Sequence, residues 1–146
     1  MTDTTWDTAA LAGRMRDIDF CVLSTHAPGG AIGGRPMSNN REVAFDGTSW
    51  FFADDSAHLV GEIAADPQVG LSYQGKAGLL GMRPLFITIE GKAEIVRDRG
   101  QFAEHWTKDL ERWWPEGIDA PGLVLVKVAA TRAHYWDGED EGEVWL

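Results

Sequence analysis

Cysteine is nearly absent from this chain. The one thiol, Cys21, excludes an internal disulfide and any cysteine-rich zinc site. Basic residues are outnumbered, 13 Lys and Arg against 23 Asp and Glu. The resulting net charge of −10 repels nucleic acid at long range, and no basic stripe is present to overcome it. No apolar run approaches the length that spans a bilayer. Residues 1–7 are polar and acidic, without the basic and apolar segments of a secretory leader, so a cytoplasmic protein touching neither membrane nor nucleic acid is expected.

Several catalytic signatures are missing too. There is no G-x-S-x-G elbow, no H-E-x-x-H and no C-x-x-C. The stretch Gly29-Gly30-Ala31-Ile32-Gly33-Gly34 lacks both the G-x-G-x-x-G spacing and a following G-K-[S/T], and Pro36 argues against a helix start there. The histidines stand at 26, 58, 105 and 134, never three or four apart, so no metal centre is expected. His105, beside Trp106 on a helix, reads as a surface residue. The acidic stretch Glu139-Asp140-Glu141 with Glu143 lacks the positions of a calcium loop and reads as a solvated end. Cys21 sits in an apolar strand with nothing adjacent to lower its pKa, so it reads as buried and inert.

What is present is a globular composition: 146 residues, 44% hydrophobic and 25% charged, enough for one domain spanning residues 1–146. Asp7 to Asp17 has helical periodicity, with Thr5 or Asp7 as cap and Leu11, Met15 and Ile18 on one face. Phe20 to Thr25 and Ile32 to Ser38 read as strands around a Pro28-Gly29-Gly30 turn. Asp46-Gly47 between Val43–Phe45 and Ser49–Phe52 predicts a tight hairpin. Asp55 or Ser56 is placed to cap a helix burying Leu59, Val60 and Ile63, which ends before Pro67. Val69 to Tyr73 is a strand, Gly75 to Gly81 a glycine-rich connection, and Leu85 to Val96 a long strand with Gly91 at a bulge. Asp98 and Gln101 form a capping box for a helix whose inner face is Phe102, Trp106, Leu110 and Trp113. Leu123–Val128 and Arg132–Trp136 are two closing strands before an acidic tail, Asp137 to Glu143.

About seven strands and three helices, joined mainly by hairpins, suit a small antiparallel barrel with helices outside. Strict βαβ alternation is missing, which disfavours a Rossmann domain. The chemistry that survives is recognition of an anion together with a flat ring. Arg35 offers a fixed fork of donors for phosphate oxygens. Ser56 adds a hydroxyl at a helix start where the dipole favours an anion, and His58 a further donor. Trp136 and the run Trp50-Phe51-Phe52 offer flat surfaces. Against this stands a plain structural role for each: Arg35 pairs one of the 23 acids, Ser56 caps, and the aromatics fill the core.

The motifs Phe20-Cys21-Val22-Leu23-Ser24-Thr25, Gly34-Arg35-Pro36-Met37, Trp50-Phe51-Phe52 and Ile89-Glu90-Gly91-Lys92-Ala93-Glu94-Ile95-Val96 stand in a telling order. Together with Trp114-Pro115-Glu116-Gly117 and Tyr135-Trp136-Asp137, the chain resembles the FMN-binding split barrels, in the general stress protein branch of the pyridoxamine 5′-phosphate oxidase-like group. The resemblance implies a mainly β fold with flanking helices, an antiparallel six-stranded split β-barrel. It also implies a homodimer holding FMN, or FAD, between subunits. It places Arg35, Pro36, Met37, Ser38 and Asn40 beside the flavin, Phe52 and Ala53 along its ring, and Ser56 and His58 at its phosphate. Trp136 then reaches in from the partner subunit.

The chain departs from that family at three of these positions. Lysine is common where His58 stands and threonine where Ala53 stands, and the oxidase proper has lysine in place of Asn40. A neutral histidine gives one hydrogen bond and no full charge, which weakens a phosphate grip. The oxidase's C-terminal arginine and histidine motif is not recognisable after Trp136, which argues against pyridoxamine phosphate oxidation. The expectation is a flavin-binding stress-type protein. Its alternatives are a flavin-dependent oxidoreductase acting on a small molecule and a barrel without flavin serving as an interaction dimer. A flavin carries its own redox chemistry, so no side chain is singled out as acid or base.

Overall fold

A computed structural model describes residues 6–39, 45–75 and 83–146. In chain order these form α1 (Thr8–Met15), β1 (Phe20–His26), β2 (Ile32–Ser38), β3 (Thr48–Asp54), α2 (His58–Ala65), β4 (Gln68–Gln74), β5 (Phe86–Val96), α3 (Arg99–His105), β6 (Leu123–Asp137) and β7 (Asp140–Trp145). The strands pair antiparallel in the order β2-β1-β4-β5-β6-β3, and β7 joins beside β6. The six-strand path curls into a half-barrel whose two ends, β2 and β3, form no ladder with one another among the described residues. This is the split barrel expected from the sequence, extended by a seventh strand. Among the described residues no helix is long and apolar enough to cross a membrane.

Local chemistry accounts for most elements. Asp7 caps α1 by accepting from the Ala10 amide at 2.8 Å, and Leu11 and Met15, four apart, are buried beneath it. Asn39 donates to the carbonyls of Met15 and Ile18, at 2.9 and 2.6 Å, and so ties the end of α1 to β2. Along β5 buried and exposed residues alternate, as a half-buried strand requires. The register slips between Glu90 and Gly91, leaving Thr131 of β6 as the extra residue, with its hydroxyl donating to the Glu90 carbonyl at 3.1 Å.

Two cores share one strand. The barrel interior packs Leu23, Leu71, Ile87, Ile89, Val124 and Val126. A second cluster joins Phe52, Val96, Phe102, Leu123 and Leu125, with Trp106 and Trp114 packed against it. The first half of β6 separates them, so Leu123 to Val126 are buried on both faces and the sequence there does not alternate. Phe52 carries the second core. Its ring meets Phe102, Trp106 and Trp114 edge-on at 5.9, 5.1 and 6.3 Å.

Four expectations are corrected. The two closing strands are one, because β6 runs on from its ladder with β3 to its ladder with β7, pairing with β5 from Leu125 to Trp136. The helix opened by Asp98 stops at His105. Trp106 and Thr107 turn extended so that the Trp106 ring can reach Phe52, and a 3₁₀ turn, Lys108–Arg112, follows. Trp113 is consequently 62% exposed, and Trp114 takes the inward place. The acidic tail keeps its carboxylates exposed, as expected, but it is a strand and not a loose end: it turns at Gly138 (φ 65°) and returns as β7, anchored by buried Val144. His105 is half-buried and stacks on Trp50 with ring centres 3.8 Å apart. The hairpin expected at Asp46-Gly47 has most of its first strand outside the described residues, as does most of the glycine-rich connection after Gly75.

Gly91 gives a test of the bulge. A Cβ there would lie 2.7 Å from the Ala129 carbonyl oxygen, a backbone atom with nowhere to move. Gly91→Ala is expected to lower the unfolding free energy by about 1–3 kcal/mol in urea titrations, whereas Gly61→Ala, which meets open space, should not.

Candidate functional site

The split leaves a cleft of about 700 Å³ between the barrel's open ends. Ser38 and Asn39 supply one wall from the end of β2, and Trp50 and Phe52 the other from β3. Leu110 and Trp113, from the segment after α3, close it on a third side. Arg16 and Arg112 stand at its margin with Asp19 and Asp109, so its charge is balanced. A flat ring system is the shape such walls accept.

Arg35 does reach α2, but at Glu62, in the helix's second turn, and not at its first residues. Arg35 lies opposite Leu23 in the β1–β2 register, on the inward face with buried Leu23 and Thr25. Its Nη1 donates to Thr25 Oγ1 at 2.8 Å and to the Leu23 carbonyl at 3.2 Å. Its Nη2 donates to Glu62 Oε1 at 3.0 Å, forming an ion pair whose side chains are 23% and 13% exposed. The Thr25 hydroxyl donates to the same Glu62 oxygen at 2.7 Å, which closes a triangle. Sequence reasoning missed Glu62, although it stands four residues after His58 on the same helix face, a readable spacing.

The helix entry also differs from expectation. Neither Asp55 nor Ser56 caps α2: the cap position is Ala57, which makes no side-chain hydrogen bond. Asp54 instead accepts from both the Ser56 amide, at 2.9 Å, and the Ser56 hydroxyl, at 2.6 Å. These two bonds, the hydroxyl's first, hold the Asp54 carboxyl below its usual pKa. Asp55 pairs with Arg97 at 2.7 Å. His58 is exposed as the first residue of the helix.

The remaining expected residues divide by face. Met37 is buried with Arg35 on the inner side, while Pro36 and Ser38 point outward with Val22 and Phe20, their register partners. Ala53 faces the barrel interior and Phe52 the second core, so the two adjacent residues look opposite ways. Trp136 stacks on His134 at 4.0 Å on the outer face of β6, away from the split within one protomer. Asn40 lies outside the described residues. On that same outer face Phe20, Val22, Phe86 and Trp145 remain 41–72% exposed.

Cys21 is buried beside Tyr73 in the barrel, and burial pushes its thiol up to about 12, against a smaller lowering by the Tyr73 hydroxyl. A thiol held in that form is neither nucleophile nor ligand at neutral pH.

An open, curled antiparallel barrel with its cleft at the split defines the split-barrel class. The chain belongs within it to the pyridoxamine 5′-phosphate oxidase like family, whose model matches residues 7–145. No curated protein sequence matches it. Among solved structures, it is similar to a protein related to general stress protein 26 from Clostridium acetobutylicum, with TM-score 0.77 and 16% identity over 93% of this chain and 92% of that one. It is also similar to general stress protein 26 from Bacillus anthracis, with TM-score 0.72 and 20% identity over 95% and 96%. A heme binding protein from Mycobacterium smegmatis shares the fold too, with TM-score 0.72 and 16% identity over 92% of this chain and 57% of that one.

The Glu62 triangle carries a pH signature. The Thr25 hydroxyl bond and then the Arg35 charge lower the Glu62 pKa, outweighing burial, which raises it. A lowered carboxyl pKa adds stability above the ordinary glutamate range, lost as pH falls through the folded value. The melting-temperature gap between the wild type and Glu62→Gln should therefore be positive at pH 7 and close below pH ~4. A gap constant from pH 7 to pH ~3 would contradict the pairing.

Proposed function

We propose that this chain binds a flavin, FMN or FAD, in the split between β2 and β3 as part of a cytoplasmic homodimer. The observation that supports the reading best is the cleft itself, with flat walls from Trp50 and Phe52 facing the polar end of β2 at Ser38 and Asn39. In this reading the flavin ring lies along that seam, beside Pro36 to Asn40 and the backbone of Phe52 and Ala53. Its tail runs toward Arg35, Ser56 and His58. A bound flavin supplies hydride and electron transfer, and the protein supplies position, exclusion of water and electrostatics. No side chain of the chain is assigned as acid or base.

The homodimer proposal rests on the outer sheet face. Phe20, Val22, Phe86 and Trp145 share it with Trp136, and isolated apolar residues would not collect on one face of one sheet by composition alone. A partner docked there covers that surface and brings Trp136 of one protomer toward the split of the other. Flavin held this way fits a general stress-type flavoprotein.

A second reading, an interaction dimer without flavin, draws on one observation. The Nη donors of Arg35 are already engaged by Leu23, Thr25 and Glu62.

Titration of FMN by fluorescence quenching, with a visible spectrum of the purified protein, separates these readings. Flavin binding is expected, and Arg35→Ala should weaken FMN by about tenfold, because it leaves the Glu62 carboxylate uncompensated beside the phosphate tail. A colourless protein that takes up no flavin would favour the interaction dimer, and a Soret band would favour haem. If FMN binds but Arg35→Ala leaves its affinity unchanged, the tail does not reach Arg35. Light scattering should give a dimer, and the double variant Val22→Glu, Phe86→Glu a monomer with an unchanged circular dichroism spectrum. A monomeric wild type would remove the dimer from the proposal.

A further inference from the structure

The cation best placed to hold a phosphate is already held. Arg35 donates through Nη1 to Thr25 Oγ1 and the Leu23 carbonyl, and through Nη2 to Glu62 Oε1, at 2.8, 3.2 and 3.0 Å. Thr25 donates to the same carboxylate oxygen at 2.7 Å, so Glu62 is fixed in place rather than swinging on a free side chain. A phosphate arriving here does not meet an unpaired guanidinium. It has to share or displace a carboxylate that two donors hold.

The neighbouring groups do not restore the balance. The Ser56 hydroxyl is turned onto Asp54 at 2.6 Å, which puts a second carboxylate at the entry to α2. Arg97, which faces the loop before α2, is engaged by Asp55 at 2.7 Å. His58 provides a ring nitrogen in place of a permanent cation, and its positive form favours the Glu62 carboxylate. Summed over Arg35, Arg97, Glu62, Asp54 and Asp55, with His58 neutral, this end carries two positive and three negative charges. The surroundings therefore oppose a dianion while leaving an uncharged ribityl tail unaffected.

We propose that Glu62 is a specificity-determining residue: by occupying Arg35 it removes most of the advantage that a terminal phosphate gives a flavin. The inference rests on the flavin reading above. Under it, the chain holds phosphorylated and unphosphorylated flavins with similar affinity, which suits a protein that exchanges its flavin rather than retaining it. Glu62 touches no flavin atom in this argument. It acts through the state of Arg35.

The experiment titrates FMN and riboflavin, by fluorescence quenching, against the wild type, Glu62→Gln and Glu62→Ala. Gln keeps an oxygen for Thr25 and Arg35 and loses only the charge, while Ala removes both. The wild type should bind the two flavins within about threefold of each other, and both variants should bind FMN about tenfold tighter with riboflavin unchanged. A merely structural Glu62 would shift both flavins together. If FMN affinity is unchanged or reduced while riboflavin still binds, the inference falls and the flavin reading stands. If neither flavin binds any of the three proteins, and each melts cooperatively, both fall.

Discussion

Burial of β6 on both faces is the constraint on which the rest of the molecule depends. Its first half lies between the barrel interior and the aromatic cluster under α3, with Leu125 and Val126 fully shielded. Each such side chain adds on the order of 1.5–3 kcal/mol of transfer free energy, so the strand cannot be displaced without opening two cores at once. It also fixes the position of β3, which pairs only with this half of β6 among the described residues. The width of the split is thus set from the opposite side of the sheet: wherever β6 goes, β3 and one wall of the cleft follow.

At the other wall the ordering force is polar. β2 is an edge strand with few buried residues, Met37 being the only one nine-tenths shielded. What ties its middle to the barrel, besides its ladder with β1, is the Arg35 fork reaching Thr25 and Glu62 across to α2. A partly buried ion pair of this kind fixes geometry more than it adds stability. The same residue is thereby asked to do two things, to brace an edge strand and to recognise an anion, and the two uses compete for the same donors.

Much of this was legible in the sequence where a short-range rule governs. The α1 cap, the alternation of β5 and the Gly91 bulge all follow from neighbours a few residues away. The limits of β1 and β2 and the inward face of α2 are equally local. Errors fell where a distant contact overrides local preference. Leu123 to Trp136 contains Ala129-Ala130-Thr131, which looks like a break until β5 supplies the bulge that absorbs the extra residue. The helix after Asp98 has the right periodicity to continue, but the Trp106 ring packs better on Phe52 than along a helix. For the site, Arg35 and the α2 entry were visible as chemistry, but Arg35 meets α2 at Glu62 while Ser56 at the entry turns onto Asp54. That Glu62 would take the arginine first depends on how α2 lies over β1 and β2, a fact of packing that no motif records.

The hairpin from β6 into β7 has an effect beyond closing the chain. Among the described residues β7 pairs on one side only, which leaves its other side a row of backbone groups of the kind to which an extended strand can add. Asp140, Glu141 and Glu143 crowd that strand with negative charge, and Gly142 interrupts it. A second copy of the same strand approaching edge to edge would set acid against acid at every other position. The surplus of carboxylates, unhelpful for holding a phosphate, here acts as protection against open-ended polymerisation of the sheet.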